Sequence, residues 1–285
     1  MASLTPELQT CIDTDVAGAL REDVGSGDLT ALLVPDDQAA EATVIVREHA
    51  IVCGQAWFER VFTLLDAGIS VDWAVNEGDA VQADDLLCTV RGPARAILTG
   101  ERAALNFLQT LSATATAANA YSVAVAGTSA VILDTRKTIP GLRLAQKYAV
   151  RTGGAQNHRV GLYDGILIKE NHIVSAGSIA AAVATAQALK ANVIIEVEVE
   201  TIDEAQQAMS AGADRLLLDN FTTEQLRAAV ELRDTSFAGI TLEASGGVTL
   251  NTVDDIAATG VDFISVGALT KDVRAVDFSM RFRAI

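Results

Sequence analysis

Val131-Ile132-Leu133 is the first of six short apolar runs that decide the fold of this chain. Stretches with helix start signals separate the runs, and Thr201 followed by Glu204 is one such signal, a capping-box pattern. Alternating strands and helices are typical of a parallel sheet with helices outside it. Because six runs are too few for a complete eight-stranded barrel, we predict an α/β fold with an incomplete, open parallel α/β barrel of about six strands. The remaining runs are Gly165-Ile166-Leu167-Ile168, Val193-Ile194-Ile195, Arg215-Leu216-Leu217-Leu218, Ile240-Thr241-Leu242 and Phe263-Ile264-Ser265-Val266.

The first hundred residues have a different pattern. Ala42-Thr43-Val44-Ile45-Val46 and Leu86-Leu87-Cys88-Thr89-Val90 are β-rich, and turn residues such as Asn76-Glu77-Gly78-Asp79 lie between them. We therefore predict a separate N-terminal α+β domain at residues 1–100 and a barrel domain at residues 101–272. In the tail, residues 273–285, apolar and polar side chains alternate, so we expect a strand that joins the N-terminal domain.

Composition limits the class of protein. The chain has 285 residues, half of them apolar, and a formal net charge of −16, which argues against nucleic acid or an anionic membrane as a partner. Cys11, Cys53 and Cys88 are widely spaced and outside any CxxC pattern, so neither a disulfide framework nor a zinc site is predicted. The start of the sequence lacks signal-peptide features, and we expect a cytoplasmic location. The uncharged stretch 103–133 contains several polar residues and predicts a buried Ala-rich helix rather than a membrane span.

Polar residues follow every predicted barrel strand. Because barrel enzymes react at the carboxyl ends of their strands, this position predicts an active site there. On the third strand, Glu196, Glu198 and Glu200 share one face. The segments at the strand ends are Asp134-Thr135-Arg136-Lys137, Lys169-Glu170-Asn171-His172, Asp219-Asn220, Ser245-Gly246-Gly247 and Ser265-Val266-Gly267.

Positive charge is concentrated between Arg136 and Lys169. This window contains seven Lys and Arg residues and one acid, Asp164, in an otherwise acidic chain. Such a window favours binding of carboxylates or phosphates through charge-assisted hydrogen bonds. Within it, the four-residue spacing of Arg143, Lys147 and Arg151 predicts only a solvent-exposed helix face.

Several residues are candidates for specific chemistry. The loops Ser245-Gly246-Gly247 and Ser265-Val266-Gly267 are typical of phosphate binding, because glycine lets backbone N–H groups approach an anion closely. Glu198 and Asp219 offer the hard oxygen ligands that Mg²⁺ prefers, with salt bridges to Lys137 or Lys169 as the alternative. His158 and Arg159 are adjacent donors that suit a planar carboxylate, whereas His49 is interpreted as structural.

Arg102 is a further candidate. The segment Thr99-Gly100-Glu101-Arg102 is predicted to open the long Ala-rich helix. A cation in the first turn opposes the helix macrodipole, which suggests that Arg102 has an anionic partner elsewhere.

Motifs that run along nearly the whole chain resemble the quinolinate phosphoribosyltransferase family of NAD biosynthesis. They occur in the family's order, and together they are highly specific, although no single one is decisive. The motifs are Glu22-Asp23-Val24-Gly25-Ser26-Gly27-Asp28-Leu29-Thr30, Glu101-Arg102-Ala103-Ala104-Leu105-Asn106, Thr135-Arg136-Lys137-Thr138-Ile139-Pro140-Gly141-Leu142-Arg143, Asn157-His158-Arg159, Leu167-Ile168-Lys169-Glu170-Asn171-His172, Glu196-Val197-Glu198-Val199 and Leu218-Asp219-Asn220.

The resemblance implies a decarboxylating phosphoribosyl transfer from phosphoribosyl pyrophosphate to quinolinate, which gives nicotinate mononucleotide, pyrophosphate and CO₂ with Mg²⁺. It also implies roles for the candidate residues and a homodimer. Arg136, His158 and Arg159 bind the quinolinate carboxylates, and Arg102 reaches in across the subunit interface. The catalytic residues are Lys137, Lys169, Glu198 and Asp219, of which Glu198 and Asp219 face the ribose and the metal. The 5′-phosphate is bound by Ser245, Gly246, Gly247, Ser265 and Gly267.

Three alternatives remain open from the residues alone. Lys169 at a strand end could form the Schiff base of a class I aldolase. A nicotinate phosphoribosyltransferase or a molybdenum-associated homologue shares several of the motifs. The turn Asn76-Glu77-Gly78-Asp79 resembles the hairpin of a lipoyl or biotinyl carrier, but the sequence has no lysine before Lys137 for such a group.

Overall fold

The computed structural model describes residues 5–285 and divides the chain into two compact units. The first unit comprises residues up to 119, residues 138–154 and residues 270–285, and the second comprises residues 120–137 and 155–269. The helices are α1 (Pro6–Val24), α2 (Gln55–Leu65), α3 (Ala94–Ala124), α4 (Arg143–Thr152), α5 (Glu170–Ala176), α6 (Ile179–Ala188), α7 (Ile202–Ser210), α8 (Thr223–Ser236), α9 (Val253–Ala257) and α10 (Ala268–Lys271). The strands are β1 (Ala39–Val46), β2 (Ala50–Ile51), β3 (Ser70–Trp73), β4 (Ala80–Val81), β5 (Leu86–Pro93), β6 (Val131–Leu133), β7 (Ile166–Ile168), β8 (Ile195–Val199), β9 (Arg215–Asp219), β10 (Thr241–Ser245), β11 (Phe263–Ser265) and β12 (Phe278–Ala284).

The first unit is built on an antiparallel sheet with the strand order β12-β1-β5-β3. Alternate residues of β1 are buried, because successive side chains of a strand point to opposite faces of the sheet. They pack in one core with the aromatic residues Trp57 and Phe58 of α2. The C-terminal segment forms β12, in which Phe278 lies opposite Val46 of β1.

Helix α3 begins earlier than the sequence indicates. It starts at Ala94, directly after β5, so Arg102 lies in the third turn and not in the first. The prediction that Arg102 opens the helix is therefore wrong, and the macrodipole argument for Arg102 does not apply. The predicted domain boundary between residues 100 and 101 falls inside this continuous helix.

Helix α4 also differs from its predicted environment. The sequence favoured an exposed face that carries Arg143, Lys147 and Arg151, yet Lys147 is buried together with Ala145 and Ala149. The prediction is wrong for Lys147 because α4 is covered on more than one side: Ala145 and Ala149 pack into the core of the first unit, and Lys147, on roughly the opposite side of the helix, is buried as well.

The second unit contains a six-stranded parallel sheet with the order β6-β11-β10-β9-β8-β7. Its outer strands β6 and β7 do not pair with each other, so the barrel is not closed. In the chain a helix follows each of the six strands, as expected for parallel strands joined by crossover connections. The predicted fold class, an open six-stranded α/β barrel with a separate N-terminal domain, is confirmed.

Side-chain hydrogen bonds cap the N-termini of helices between these strands, and α7 is an example. Helix α7 starts after Thr201, whose hydroxyl accepts a hydrogen bond from the backbone N–H of Glu204 at 3.2 Å. The Glu204 carboxylate accepts from the backbone N–H of Glu200 at 2.8 Å, one residue before the cap. The predicted helix start is therefore confirmed. The second hydrogen bond differs from that of a standard capping box, because the Glu204 carboxylate accepts from the N–H of Glu200 and not from that of Thr201.

None of the helices in the described part of the chain is both long enough and apolar enough to cross a membrane.

Candidate active site

The carboxyl ends of the parallel strands bring together most of the candidate residues in the second unit. Because all six strands run in one direction, residues at or just after their carboxyl ends lie along the same edge of the sheet. These residues are Arg136 and Lys137 after β6, Lys169 after β7, Glu198 in β8, Asp219 in β9, Ser245, Gly246 and Gly247 at the end of β10, and Ser265 and Gly267 at the end of β11.

Lys169 and Glu198 form an ion pair between neighbouring strands. The Lys169 Nζ contacts Glu198 Oε2, and the Glu198 side chain is 20% exposed. Lys169 also caps α5, where its backbone N–H donates to Nδ1 of His172 at 3.0 Å. The salt bridge that the sequence left as an alternative therefore exists in this structure, and it fixes a cation and an anion at the edge of the sheet.

Asp219 lies at the end of β9, next to β8. Leu217 is the register partner of Glu198, so Asp219 lies two residues beyond it along β9. The Asp219 Oδ2 accepts a hydrogen bond from Nδ2 of Asn220 at 2.9 Å. Glu198 and Asp219 thus present two carboxylates from adjacent strand ends, a donor set that suits Mg²⁺ when phosphate oxygens complete the coordination.

Two guanidinium groups lie close together in the second unit. The Nε atom of Arg136 is buried and has no hydrogen-bond partner among the residues described. The side chain of Arg159 donates to the carbonyl of Gly165 at 3.1 Å. Burial and the positive charge of Arg136 lower the pKa of Arg159, so the two cations repel each other. A bound anion would relieve this repulsion and satisfy the buried donor.

His158 is held by its backbone and by both ring nitrogens. Its backbone N–H donates to Asp134 Oδ1 at 2.9 Å, and Asp134 Oδ2 accepts from Nδ2 of Asn157 at 2.7 Å. The backbone N–H of Arg159 lies 2.8 Å from His158 Nδ1, and His158 Nε2 lies 2.9 Å from Glu196 Oε2. Asp134 is completely buried and organises this segment, a role that the sequence did not reveal.

His158 belongs to a cluster of ionisable side chains that is largely buried. Its members are His158, Glu196, Glu243 and Arg215, and Ser265 donates a hydrogen bond to Glu243. Burial by itself lowers the pKa of His158, but the hydrogen bonds and charges of Glu196 and Glu243 outweigh it and raise the pKa to about 9. The contact from the Arg159 amide favours the neutral ring, but two buried carboxylates act more strongly on the imidazole than one amide dipole.

The potential ligand atoms of His158, Glu196 and Glu243 lie within 4.8 Å of one another, a spacing found in metal sites. Arg215 contributes a permanent positive charge 3.5 Å from Glu243 Oε2. With that cation present, the group is better described as a hydrogen-bonded cluster of ionisable side chains, in which burial raises the pKa of Glu196.

A cavity of about 290 Å³ opens beside this cluster. The predicted substrate-binding residues His158 and Arg159 line it together with Asn157, Glu196 and Arg215. Lys137, Lys169, Glu198 and Asp219 do not line this cavity. The structure thus places His158 and Arg159 at a cavity and the remaining candidates along the edge of the sheet.

The two glycine loops follow neighbouring strands, because β10 pairs with β11. Gly246 has φ +100°, and a Cβ atom there would lie 2.2 Å from the side-chain oxygen of Asn220. Glycine is therefore required at this position both by backbone conformation and by space. The loop at Gly247 is followed by a turn, since α9 begins only at Val253, so no helix N-terminus directly adjoins this loop.

Arg102 belongs to the first unit and is described with it. Its side chain is exposed on α3 and makes no ion pair or hydrogen bond with any residue in the described range 5–285.

Comparison with known proteins identifies the family of both units. The family model for the quinolinate phosphoribosyl transferase N-terminal domain matches residues 28–112, and that for the C-terminal domain matches residues 114–281. A probable carboxylating nicotinate-nucleotide pyrophosphorylase of Bacillus subtilis is 41% identical over 260 residues, which cover 91% of this chain and 89% of that protein. The decarboxylating quinolinate phosphoribosyltransferase 1b of Nicotiana tabacum is 40% identical and covers 92% of this chain and 80% of its own length. The solved structure of the nicotinate-nucleotide pyrophosphorylase from Francisella tularensis is 45% identical, with a TM-score of 0.93 over 98% of both chains. The chain belongs to the quinolinate phosphoribosyltransferase family.

Proposed function

We propose that this protein transfers the phosphoribosyl group of phosphoribosyl pyrophosphate to quinolinate and decarboxylates the product to nicotinate mononucleotide, a step of NAD biosynthesis. In this reaction the lone pair of the quinolinate nitrogen forms a bond to C1 of the ribose while the bond from C1 to pyrophosphate breaks. The 2-carboxylate then leaves as CO₂, the positive ring nitrogen stabilises the electron pair left on C2, and a proton is added there. Both substrates carry several negative charges.

The observation that carries the proposal is the pair of cations Arg136 and Arg159. Burying a guanidinium nitrogen without a partner is costly, so the site suits a ligand that brings acceptor oxygens. In a chain with a net charge of −16, two neighbouring cations of this kind are a local exception. Quinolinate has two carboxylates, which match two guanidinium groups and the imidazole of His158.

The ends of the remaining strands suit the second substrate. Glu198 and Asp219 would hold Mg²⁺, which neutralises the leaving pyrophosphate when it is bound. Lys169 supplies positive charge beside Glu198, Lys137 would supply positive charge after β6 at the same edge of the sheet, and the loops at Gly246 and Gly267 suit the 5′-phosphate of the ribose. Fixed charges around the ribose would stabilise the cationic character that develops at C1.

The homodimer, the role of Arg102 and the cytoplasmic location are further parts of the proposal. The exposed, unpaired side chain of Arg102 supports a function outside its own compact unit, and we propose that it binds quinolinate in the active site of a partner subunit. The free cysteines Cys11, Cys53 and Cys88 agree with a reducing compartment such as the cytoplasm.

The competing functions fit the structure less well. Lys169 forms an ion pair with Glu198, whereas a Schiff-base lysine must be free to attack a carbonyl group. The turn Asn76-Glu77-Gly78-Asp79, which resembles a carrier hairpin, has a structural role instead. The Glu77 carboxylate accepts hydrogen bonds from the backbone N–H groups of Gly54 and Gln55 and so caps the N-terminus of α2.

Product analysis tests the proposed function. Purified protein is incubated with phosphoribosyl pyrophosphate, Mg²⁺ and quinolinate labelled in the 2-carboxylate. We expect nicotinate mononucleotide and labelled CO₂ in equal amounts. Formation of a mononucleotide without CO₂ would contradict the decarboxylating reaction, and no mononucleotide at all would contradict the transferase.

A further inference from the structure

Residues 157–165, called the connecting loop below, join the two outer strands of the open barrel. They follow Gln156, which pairs with the end of β6 in a parallel bridge, and they end where β7 begins. The loop lines the cavity described above, and its conformation decides where its side chains lie. The proposed reaction gives roles to His158 and Arg159 in this loop, but none to the exposed Asp164.

Side chains of the connecting loop accept three of its successive backbone N–H groups. The N–H of Arg159 donates to Nδ1 of His158 at 2.8 Å. The next two donate to one carboxylate, with the N–H of Val160 2.6 Å from Oδ2 of Asp164 and that of Gly161 2.9 Å from Oδ1. Hydrogen bonds from N–H groups to a carboxylate are charge-assisted and stronger than neutral ones. Asp164 therefore closes the loop directly after Arg159.

The Arg159 side chain contacts the other end of the same loop. Its guanidinium donates to the carbonyl of Gly165, the residue after Asp164, at 3.1 Å. The ring of Tyr163 lies against Gly161, where a Cβ atom would be 2.3 Å from it, so the loop is compact. Asp164 thus holds both the main chain that follows Arg159 and the peptide unit next to the carbonyl that the guanidinium binds.

The charge of Asp164 acts on Arg159 as well. Burial and the positive charge of Arg136 lower the pKa of Arg159, whereas the negative charges of Glu196 and Asp164 raise it. Asp164 therefore offsets part of the repulsion between the two guanidinium groups. Its own charge would repel a dicarboxylate, so a contribution of Asp164 to substrate binding must pass through Arg159.

We propose that Asp164 is a positioning residue: by closing the connecting loop it holds the Arg159 guanidinium in place to bind a carboxylate of quinolinate. This inference rests on the proposed function for the identity of the ligand. The link between Asp164 and Arg159 stands on the contacts within the loop. Because Asp164 acts through Arg159, its contribution should disappear when the guanidinium is absent.

Amide hydrogen exchange, measured by NMR, tests the closed loop. Asp164→Ala removes both acceptors, and the matched control is Asp255→Ala, an exposed aspartate on α9 of the same unit. In Asp164→Ala we expect the amide protons of Val160 and Gly161 to exchange about tenfold faster or more than in the wild-type protein, because they lose their acceptor. In Asp255→Ala their exchange rates should not change.

Steady-state kinetics test the consequence for the substrate. The KM for quinolinate should rise by roughly tenfold or more in Asp164→Ala, because a small displacement of a binding group is costly. Asp164→Asn retains one acceptor oxygen, so the rise should be smaller, roughly threefold. The KM for phosphoribosyl pyrophosphate should stay within about twofold in both variants, whereas a general loss of folded protein would change neither KM.

A double-mutant cycle tests whether Asp164 acts through Arg159. The value of kcat/KM for quinolinate is measured for Arg159→Ala, for Asp164→Ala and for the double variant. We expect the double variant to lie within about twofold of Arg159→Ala alone. If Asp164→Ala instead lowers kcat/KM by the same factor with and without the guanidinium, the two residues act independently and the inference is overturned.

The remaining outcomes are also decisive. Unchanged exchange of the Val160 and Gly161 amides in Asp164→Ala, or an unchanged KM for quinolinate, would contradict the positioning role. A rise in KM as large in Asp164→Asn as in Asp164→Ala would show that the charge acts and not the closed loop. If the wild-type protein forms no mononucleotide, the proposed function and the role in substrate binding both fail, while the exchange rates still decide whether Asp164 closes the loop.

Discussion

Glu198 and Asp219 show how much chemistry the position of single residues reveals. Both are acids at the ends of predicted strands, and the structure places them on adjacent strands, β8 and β9. Sequence position was informative because a charged residue directly after a buried strand has few structural reasons to be there. Glu243 was missed because it lies inside a strand, where its environment comes from β9, β11 and the segment around His158. The available signal in the sequence was an acid next to an apolar run. That signal does not identify the partners of Glu243, because they are brought together only by tertiary packing.

Replacement of Glu198 or Asp219 by Ala should lower kcat by roughly 100-fold while the protein stays folded, because fixed charges act mainly on the transition state. Glu200→Ala is the matched control, since Glu200 lies just beyond β8 and is exposed. Steady-state kinetics with circular dichroism checks both effects. If Glu198→Ala and Asp219→Ala turn over as fast as Glu200→Ala, the two acids are only partners of the lysines.

The strands and helices of the second unit follow from local sequence patterns, but some ends do not. The run Val193-Ile194-Ile195 predicted a strand, whereas β8 extends from Ile195 to Val199, because its interior glutamates find partners in the fold, His158 for Glu196 and Lys169 for Glu198. Helix α3 was predicted to begin near Arg102, yet it starts at Ala94 directly after β5. A helix that follows a strand without a turn lacks the capping residues on which such a prediction depends.

Substitutions in the glycine loop after β10 test whether the conformation of this loop matters for binding phosphoribosyl pyrophosphate. Gly246→Ala would force a positive φ on alanine and place its Cβ 2.2 Å from the Asn220 side chain, whereas a Cβ at Gly247, with φ +61°, meets nothing within 4 Å. We expect Gly246→Ala to raise the KM for phosphoribosyl pyrophosphate by roughly tenfold or more, since small displacements of a binding loop are costly, and Gly247→Ala to have a smaller effect. The KM for quinolinate should change little in both. Equal effects of the two substitutions would show that contact with Asn220 does not shape the loop.

The fold class of the whole molecule could be predicted because binary patterns repeat along the chain. The open barrel and the separate N-terminal domain are both confirmed, since six runs with strand–helix alternation permit few other topologies. The assignment of residues 138–154 to the first compact unit could not be predicted, because it depends on the packing of α4 rather than on its own pattern.

A complementation experiment tests the proposed shared site. Arg102→Ala and Glu198→Ala, each inactive alone, are mixed under conditions that allow subunits to exchange. In a two-fold dimer, each hybrid has one site with both residues intact and one site that lacks both. With random exchange half of the dimers are hybrids, so about a quarter of the native activity should return. Demonstrated exchange without recovery would show that Arg102 serves its own subunit.

The preference between quinolinate and nicotinate tests the central claim most directly, namely that the half-buried cations Arg136 and Arg159 form a site for two carboxylates. Nicotinate lacks the 2-carboxylate and would leave desolvated donors such as Arg136 Nε without a partner. The measurement is kcat/KM for each acid at saturating phosphoribosyl pyrophosphate and Mg²⁺. We predict a preference for quinolinate on the order of 10⁴, and comparable values for the two acids would contradict the account.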